Sequence, residues 1–250
     1  MSTKKNSNHI NMRKDNDPMG KAVADYFKNG EKGKERIIVY SPMFDDDEIP
    51  VSTLYRSYKE MPSIEQRALK SSEGKILDVG ACSGCHSLVL QEMNKNVTAI
   101  DISPLAVETM QKRGIKKAVL KDFWEIDEKY DTILMLMNGI GIVGKIENLP
   151  RFFSHLDKIL SDNGKVFFDS SDLCYLYEDE EGFIELPEGD NYYGELTYKM
   201  QFKNIMGEEF PWLYIDIDTL RNVALKYGYA VEVIEDGEYY NYLAQIKKIR

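Results

Sequence analysis

From Lys75 onward the chain alternates short apolar runs with segments of helical periodicity, and this alternation restricts the fold more than any other feature. Five runs have the length and residue types of buried β-strands: 76–79, 97–100, 118–120, 132–137 and 166–168. Helical segments lie between them, and the segment 149–160 carries apolar residues at the i, i+3, i+4, i+7 spacing. Repeated strand–helix units of this kind predict a parallel, doubly wound α/β sheet with right-handed crossovers.

The alternation stops after Asp172. Two strands are predicted over 195–205 and 208–215, joined near Gly207, so that about 173–215 forms an added β insertion. At the end of the chain, 229–235 and 239–246 flank Asp236-Gly237, which is a strong signal for a two-residue hairpin. The complete prediction is a mostly parallel, seven-stranded, Rossmann-like sheet that ends in a C-terminal antiparallel hairpin.

The N-terminal part has a different character. Residues 1–17 are rich in Asn, Lys and Ser and predict a disordered tail. The segment 18–74 predicts a helical extension that covers the cleft, with helices over 18–29 and over 54–69, the second interrupted at Met61-Pro62. Between these helices, 36–40 is a β-branched run, and the acidic cluster 45–48 is predicted to lie in a loop. The sequence shows no internal repeat and no flexible linker, which predicts one domain over 75–250 with this N-terminal extension.

Charge and composition exclude several classes of protein. The 250 residues carry a formal net charge of −10, which repels phosphate backbones and disfavours a nucleic-acid partner. No apolar run approaches the ~20 residues that cross a bilayer, and the N-terminus shows no apolar core of a secretion signal. Three cysteines cannot form a disulfide scaffold and indicate a reducing compartment, so a cytoplasmic location is expected.

One loop carries most of the functional information. It runs from Asp78 to Gly84, leaves the first predicted strand and opens a helix; its glycines let the backbone turn sharply and approach a ligand without a Cβ in the way. The helix offers free N–H groups and a positive dipole end to an anionic group. Asp101 ends the next strand, 21 residues after Gly80, where an acid accepts hydrogen bonds from ribose hydroxyls. Together these features predict a nucleoside-containing ligand at the carboxyl ends of the strands.

The spacing of the glycines distinguishes two kinds of nucleoside cofactor. Nicotinamide folds use G-x-G-x-x-G, whose second glycine makes room for a pyrophosphate, whereas Cys82 occupies that position here. The sequence ILDVGACSG at 76–84 resembles instead the first motif of the class I S-adenosylmethionine-dependent methyltransferases. Further similarity to that family lies in Asp101-Ile102-Ser103, in Asp122-Phe123, and in 131–138 and 160–169. The segments 55–58 and 137–141 resemble a bacterial branch of small-molecule type with undefined substrates.

The resemblance implies S-adenosylmethionine as the cofactor and methyl transfer to oxygen or nitrogen of a small-molecule acceptor, by in-line displacement. It implies cofactor contacts for ten residues: Asp78, Gly80, Ala81, Cys82, Gly84, Asp101, Ile102, Asp122, Phe123 and Asn138. The loop backbone would hold the methionine part, and Asp78 would orient that loop or the amino group. Asp101 would accept both ribose hydroxyls, Ile102 and Asp122 would contact the adenine, and Asn138 would lie near the sulfonium.

The residues that would act on the acceptor are less constrained. Asp172 and His86 are the two candidate catalytic residues. Asp172 could act as a general base, grip an acceptor or cap the next segment, and His86 could touch the cofactor carboxylate or the acceptor, or have a structural role in its helix. Arg56, close to Tyr58, could clamp a carboxylate or lie on the surface. An aromatic group could form a core face or wall an acceptor pocket; its members are Tyr192, Tyr193, Tyr198, Phe210, Trp212 and Tyr214.

Several alternatives stay open at this point. The C-x-x-C-H pattern from Cys82 to His86 also matches haem attachment or thioredoxin-like redox chemistry, but it does not supply four zinc ligands at a known spacing, so no metal site is predicted. A non-catalytic S-adenosylmethionine- or nucleoside-binding regulator and an NAD-dependent oxidoreductase remain as alternative functions. Asn138 is not followed by Pro-Pro-Tyr, which disfavours an enzyme that methylates adenine or glutamine amines.

Overall fold

The structure is a computed structural model that describes residues 12–30, 35–187, 191–238 and 240–249. Its α-helices are α1 (Pro18–Asn29), α2 (Ser63–Ser71), α3 (Cys85–Glu92), α4 (Pro104–Lys112), α5 (Leu149–Ile159) and α6 (Ile217–Lys226). Its strands are β1 (Arg36–Tyr40), β2 (Asp47–Pro50), β3 (Lys75–Val79), β4 (Asn96–Asp101), β5 (Ala118–Leu120), β6 (Tyr130–Met135), β7 (Leu160–Ser171), β8 (Glu195–Phe202), β9 (Ile205–Met206), β10 (Phe210–Leu213), β11 (Tyr229–Asp236) and β12 (Asn241–Lys248). No helix in these ranges is long and apolar enough to span a bilayer.

The central sheet has seven strands in the order β11-β12-β7-β6-β3-β4-β5. Neighbouring strands from β7 to β5 are parallel, and β12 alone runs antiparallel to both of its neighbours. The predicted α/β architecture, a mostly parallel Rossmann-like sheet completed by a C-terminal antiparallel hairpin, is therefore confirmed.

Helices cover both faces of this sheet, which explains why its central strands are apolar throughout. Leu77 and Ile133 point to one face and join the core formed with α5 and α6. Their chain neighbours Ile76 and Leu134 point to the other face and pack against α2 and α3. Because side chains alternate along a strand, each central strand supplies both cores, and the carboxyl ends of the strands are left to form the loops.

A second, antiparallel sheet joins the N-terminal extension to the insertion. Its order is β10-β8-β1-β2, with β9 paired to β8, and Val39 of β1 lies opposite Met200 of β8. The prediction of a helical extension is therefore incomplete, because β1 and β2 belong to it. Strand β2 includes acidic residues predicted to lie in a loop; its side chains are largely exposed, so no apolar alternation marks it, and backbone pairing with β1 forms it.

The beginning of the described chain is anchored to the main domain. Asp17 is fully buried, caps α1 by accepting the N–H of Gly20 at 2.7 Å, and accepts the hydroxyl of Ser103 at 2.5 Å. Ser103 is itself the cap of α4, so one carboxylate fixes two helix ends. The predicted tail 1–17 thus includes an ordered residue at its end, while 1–11 lie outside the described residues.

Three predicted boundaries are corrected. Instead of one interrupted helix over 54–69, short 3-10 turns at Val51–Tyr55 and Tyr58–Glu60 precede α2, because a residue before proline disfavours the helical conformation. The hairpin connection spans 237–240 rather than two residues. Strand β6 stops at Met135, because Met137 turns into the left-handed region at φ 61°.

Helix α2 is joined to α3 by a buried ionic network. Glu65 of α2 receives two hydrogen bonds from Arg56, at 2.8 and 3.0 Å, and lies 2.8 Å from Nε2 of His86. Burial disfavours the imidazolium form of His86, but the sulfur of Cys85 and the carboxylates of Glu65 and Asp78 favour it and raise its pKa to about 10. His86 is therefore a cation at neutral pH, and it stabilises the packing of two helices beside the glycine loop.

This network predicts a specific pH dependence of stability. The pKa of His86 is about 10 when folded and 6.5 in the unfolded reference, so its contribution is complete below pH 6.5 and is lost as pH rises through about 10. We expect His86→Gln to flatten the decline of unfolding free energy over this interval, measured by urea denaturation at a series of pH values. His155→Gln is the control, because burial lowers the pKa of His155 and places its titration below the interval. Equal slopes for the wild type and His86→Gln would contradict the assignment.

Candidate active site

The loop between β3 and α3 leaves space in front of its first glycine. Gly80 has φ 65° and is exposed, and a Cβ placed on it would meet only Cδ1 of Ile142, at 3.6 Å. Gly84 has φ 79° and caps α3. Cys82 also adopts a positive φ, 51°, although it has a side chain, so this loop carries backbone strain. A ligand can therefore approach the backbone at Gly80 closely.

Asp101 holds this loop from the end of the neighbouring strand. Its Oδ2 accepts the N–H of Cys82 at 2.8 Å, and its Oδ1 accepts the N–H of Ser103 at 2.8 Å. Burial raises the pKa of Asp101 to about 6. The carboxylate of Asp17 also raises this pKa, whereas the backbone N–H donors lower it. Each oxygen accepts one backbone N–H and keeps a further lone pair, so the carboxylate can also accept two hydroxyl groups.

Three predicted contacts of the adenine lie beyond Asp101. Ile102 is half-buried next to it, and Asp122 follows the edge strand β5, where its Oδ1 accepts the N–H of Trp124 at 2.9 Å. The ring of Phe123 is buried in the core, edge-on to His155 with 4.9 Å between centroids. Phe123 therefore presents its main chain, and not its ring, to this edge of the sheet.

The turn after β6 is the second strained segment. Met137 and Asn138 both have positive φ, 61° and 56°, and the N–H of Asn138 donates to Oδ2 of Asp169 at 2.9 Å. Oδ1 of Asn138 and Oδ1 of Asp169 are buried and have no hydrogen-bond partner among the residues that the structure describes. Unsatisfied buried oxygens beside strained backbone are typical of a binding site that a ligand completes.

Asp169 is the functional residue that the sequence predictions missed. It lies near the end of β7, directly after the buried run 166–168, and 5% of its surface is exposed. The available signal was its position: β7 pairs with β6, so its carboxyl end meets the turn at Asn138. The sequence analysis names Asp172, three residues further on, and not Asp169 as a candidate.

The two predicted catalytic candidates have structural roles. Oδ1 of Asp172 accepts the N–H of Cys174 at 2.9 Å and the hydroxyl of Tyr193 at 2.7 Å, so Asp172 caps the 3-10 turn at Leu173–Tyr177. His86 is held as a cation by Glu65 and cannot accept a proton at neutral pH. These contacts agree with the structural alternative for His86 and with the capping alternative for Asp172.

Asp78 and the cysteines also face the protein. Oδ2 of Asp78 accepts the hydroxyl of Ser87 at 2.6 Å, which ties β3 to α3 and orients the loop between them. Cys85 packs in the core beneath α3, and burial raises the pKa of Cys82 well above its usual value. A protonated thiol is a poor redox nucleophile, so the burial of Cys82 disfavours the thioredoxin-like alternative.

The predicted acceptor residues Arg56 and Tyr58 approach the loop from the extension. The hydroxyl of Ser83 donates to the carbonyl of Leu54, which fixes this segment against the glycine loop. Arg56 donates to Glu65 through one terminal nitrogen, but its Nε and the Tyr58 hydroxyl are buried and have no partner in the described part of the chain. Both groups can donate a hydrogen bond to an anionic ligand.

Comparison with known proteins agrees with this geometry. A family model described as a methyltransferase domain matches residues 54–233. The chain is 46% identical to a SAM-dependent methyltransferase from Bacteroides fragilis whose crystal structure contains S-adenosyl-L-homocysteine; the match covers 96% of this chain and 98% of that one, with a TM-score of 0.89. No curated protein matched the sequence.

More distant structures share the fold. The sugar N-methyltransferase KedS8 from Streptoalloteichus is 14% identical, over 75% of this chain and 85% of that one, with a TM-score of 0.51. The glycopeptide N-methyltransferase MtfA, solved with S-adenosylmethionine, is 14% identical, over 78% and 88%, with a TM-score of 0.52. The family match spans the glycine loop, Asp101 and Asn138, and the chain belongs to the class I methyltransferases, which use S-adenosylmethionine as their cofactor.

Proposed function

We propose that this enzyme transfers the methyl group of S-adenosylmethionine to an oxygen or nitrogen atom of a small-molecule acceptor. The observation that carries the proposal is the meeting, at one edge of the parallel sheet, of an open glycine loop, the Asp101 carboxylate and buried polar atoms that have no partner. These features match different parts of the cofactor: the Asp101 carboxylate the ribose, the open backbone at Gly80 the methionine part, and the unpartnered polar atoms the amino and carboxylate groups.

The residues present fit that cofactor. The ribose hydroxyls would donate to Asp101, whose oxygens keep free lone pairs while they hold the loop. The adenine would lie beyond it, against Ile102 and the main chain of Asp122 and Phe123. The exposed backbone at Gly80 leaves room for the methionine part.

The amino-acid end of the cofactor would meet the unpartnered groups. Nε of Arg56 and the hydroxyl of Tyr58 would donate to its carboxylate, which agrees with the predicted clamp but assigns it to the cofactor rather than to the acceptor. Oδ1 of Asn138 would accept from the amino group. The Glu65–His86 pair holds Arg56 in place from the opposite side.

The protein contributes mainly alignment to this chemistry. When bound, S-adenosylmethionine supplies an electrophilic methyl carbon, whose bond to sulfur breaks as the acceptor lone pair forms the new bond. The left-handed turn at Met137 and Asn138 fixes the backbone beside that position, and the Asp169 carboxylate holds the turn. Orientation of this kind can supply roughly 7–11 kcal/mol of the barrier reduction without a covalent intermediate.

Charge supports a small acceptor. The net charge of −10 disfavours a nucleic-acid substrate. Strand β10 of the insertion packs on the segment after β6, where the side chain of Trp212 lies against Gly141 and leaves no room for a Cβ. The three cysteines are free thiols, which supports the further proposal that the enzyme works in the reducing cytoplasm.

Transfer of a labelled methyl group tests this function. Protein incubated with tritiated S-adenosylmethionine and a bacterial extract should place label in the low-molecular-weight filtrate and release S-adenosylhomocysteine. Asp101→Ala protein serves as the matched control. Label confined to protein or nucleic acid, or binding of S-adenosylhomocysteine without any transfer, would contradict the proposed small-molecule activity.

Asp101→Ala should weaken binding of S-adenosylhomocysteine by more than about tenfold, equivalent to about 1.4 kcal/mol, because it removes both ribose acceptors and the anchor of the Cys82 N–H. Isothermal titration measures the effect. Asp127→Ala is the charge-matched control, since Asp127 is exposed and paired with Lys121. Unchanged affinity of the Asp101 variant would remove that residue from the site.

A further inference from the structure

A wall of tyrosines stands beside the end of β7. Tyr198 and Tyr214 come from the insertion, and their hydroxyls lie 3.2 Å apart. The N–H of Ile215 donates to Oγ of Ser170 at 3.0 Å, which fixes the tyrosine segment to the strand that carries Asp169. The tyrosine segment is therefore fixed at the carboxyl end of β7, one residue from Asp169, which holds the strained turn at Asn138.

Carboxylates surround these phenols. Burial raises the pKa of Tyr214, and the neighbouring Tyr175, Asp47 and Asp169 raise it further. Tyr242 lies opposite Ser170 on β12. Burial is the largest cause that raises its pKa, and Asp216, Asp172 and Asp169 raise it further. None of these four aspartates forms an ion pair with a basic side chain within the described ranges. The region therefore combines tyrosine rings with acidic side chains that form no ion pair within these ranges.

An independent observation indicates that a ligand completes this region. Asp169 is 5% exposed; one of its oxygens accepts the N–H of Asn138, and the other has no partner within the ranges given above for the structure. A buried carboxylate oxygen without a donor is costly, and burial raises the pKa of Asp169 to about 6. His86 and Glu65, which also influence it from the helix side, are already paired with each other.

We propose that the methyl acceptor is a protonated amine, whose ammonium group donates to Oδ1 of Asp169 and packs against the faces of Tyr198 and Tyr214. This inference rests on the proposed methyl transfer and names the class of its acceptor. Carboxylates and tyrosine rings both attract ammonium ions and repel anions. A carboxylate or phosphate acceptor would meet unpaired like charges at this position, and a neutral alcohol would lack the charge that the region favours.

Asp169 would also accept a proton from the ammonium group of the acceptor. An ammonium nitrogen has no lone pair, so one N–H bond must break before the nitrogen can accept a methyl group. The Oδ1 atom of Asp169 takes that proton, the bonding electron pair stays on nitrogen as its lone pair, and the carboxyl group later returns the proton to water. A carboxylate whose pKa is raised towards neutrality is better suited to this step than an ordinary one.

Binding of three matched probes tests the inference without turnover. Protein saturated with S-adenosylhomocysteine is titrated with benzylamine, benzyl alcohol and benzoate, and binding is followed by ligand-observed NMR. We expect benzylamine to bind at least about tenfold more tightly than the other two, which corresponds to one charge-assisted hydrogen bond. Equal or tighter binding of benzyl alcohol or benzoate, or no binding of benzylamine, would overturn the proposal.

Asp169→Asn isolates the responsible oxygen. Asparagine keeps an oxygen for the N–H of Asn138 and replaces the unpartnered oxygen with a donor, so we expect benzylamine binding to fall by about tenfold while S-adenosylhomocysteine affinity stays within about twofold. Tyr214→Phe is the second variant and should weaken benzylamine binding less, because it keeps the aromatic face. Asp127→Asn is the surface control.

The two levels of proposal can fail separately. If the wild type does not bind S-adenosylhomocysteine, the proposed function itself fails. If the wild type binds it normally but Asp169→Asn loses that affinity by about tenfold or more, Asp169 holds the amino group of the cofactor and the amine inference is wrong. Unchanged benzylamine binding in both variants would likewise overturn it.

Discussion

The hydrogen bond between Asp101 and the backbone of Cys82 is the contact on which the rest of the site depends. It joins the ends of two adjacent parallel strands and holds a loop whose residues include a left-handed cysteine, a conformation that is unfavourable without support. The loop then keeps the backbone at Gly80 open, and Asp101 keeps lone pairs for a ligand. One carboxylate thus holds the loop and, in the proposed complex, would also bind the ribose.

Two separate parts of the chain complete the enclosure. The N-terminal extension reaches the loop through the Leu54–Ser83 hydrogen bond and brings Arg56, which Glu65 and His86 hold in place. The insertion pairs with strand β1 of that extension and carries the tyrosine wall. The two segments therefore form one antiparallel sheet, although they are far apart in the chain.

The sequence predicted the central sheet and the glycine loop because both have strong local signals: apolar runs of strand length, glycines at a turn and an acid at the next strand end. It did not predict strand β2, whose side chains are mostly exposed and whose formation depends on its partner β1. Asp169 was missed because its importance arises from the pairing of β7 with β6, which brings it to Asn138 from 31 residues away. The charge of His86 likewise depends on Glu65, which lies on another helix. Local sequence patterns do not show which elements distant in the chain will contact each other.

The central claim is that this edge of the sheet binds adenosine at one end and an amino-acid group at the other. Isothermal titration of the wild-type protein with S-adenosylhomocysteine, 5′-methylthioadenosine and NADH tests it directly, since the second ligand keeps the adenosine and lacks the amino and carboxylate groups. The account predicts that S-adenosylhomocysteine binds tightest, that methylthioadenosine binds at least about tenfold more weakly, since it leaves Arg56 and Tyr58 unsatisfied, and that NADH does not bind. Equal affinity for the first two ligands, or preferential binding of NADH, would contradict it.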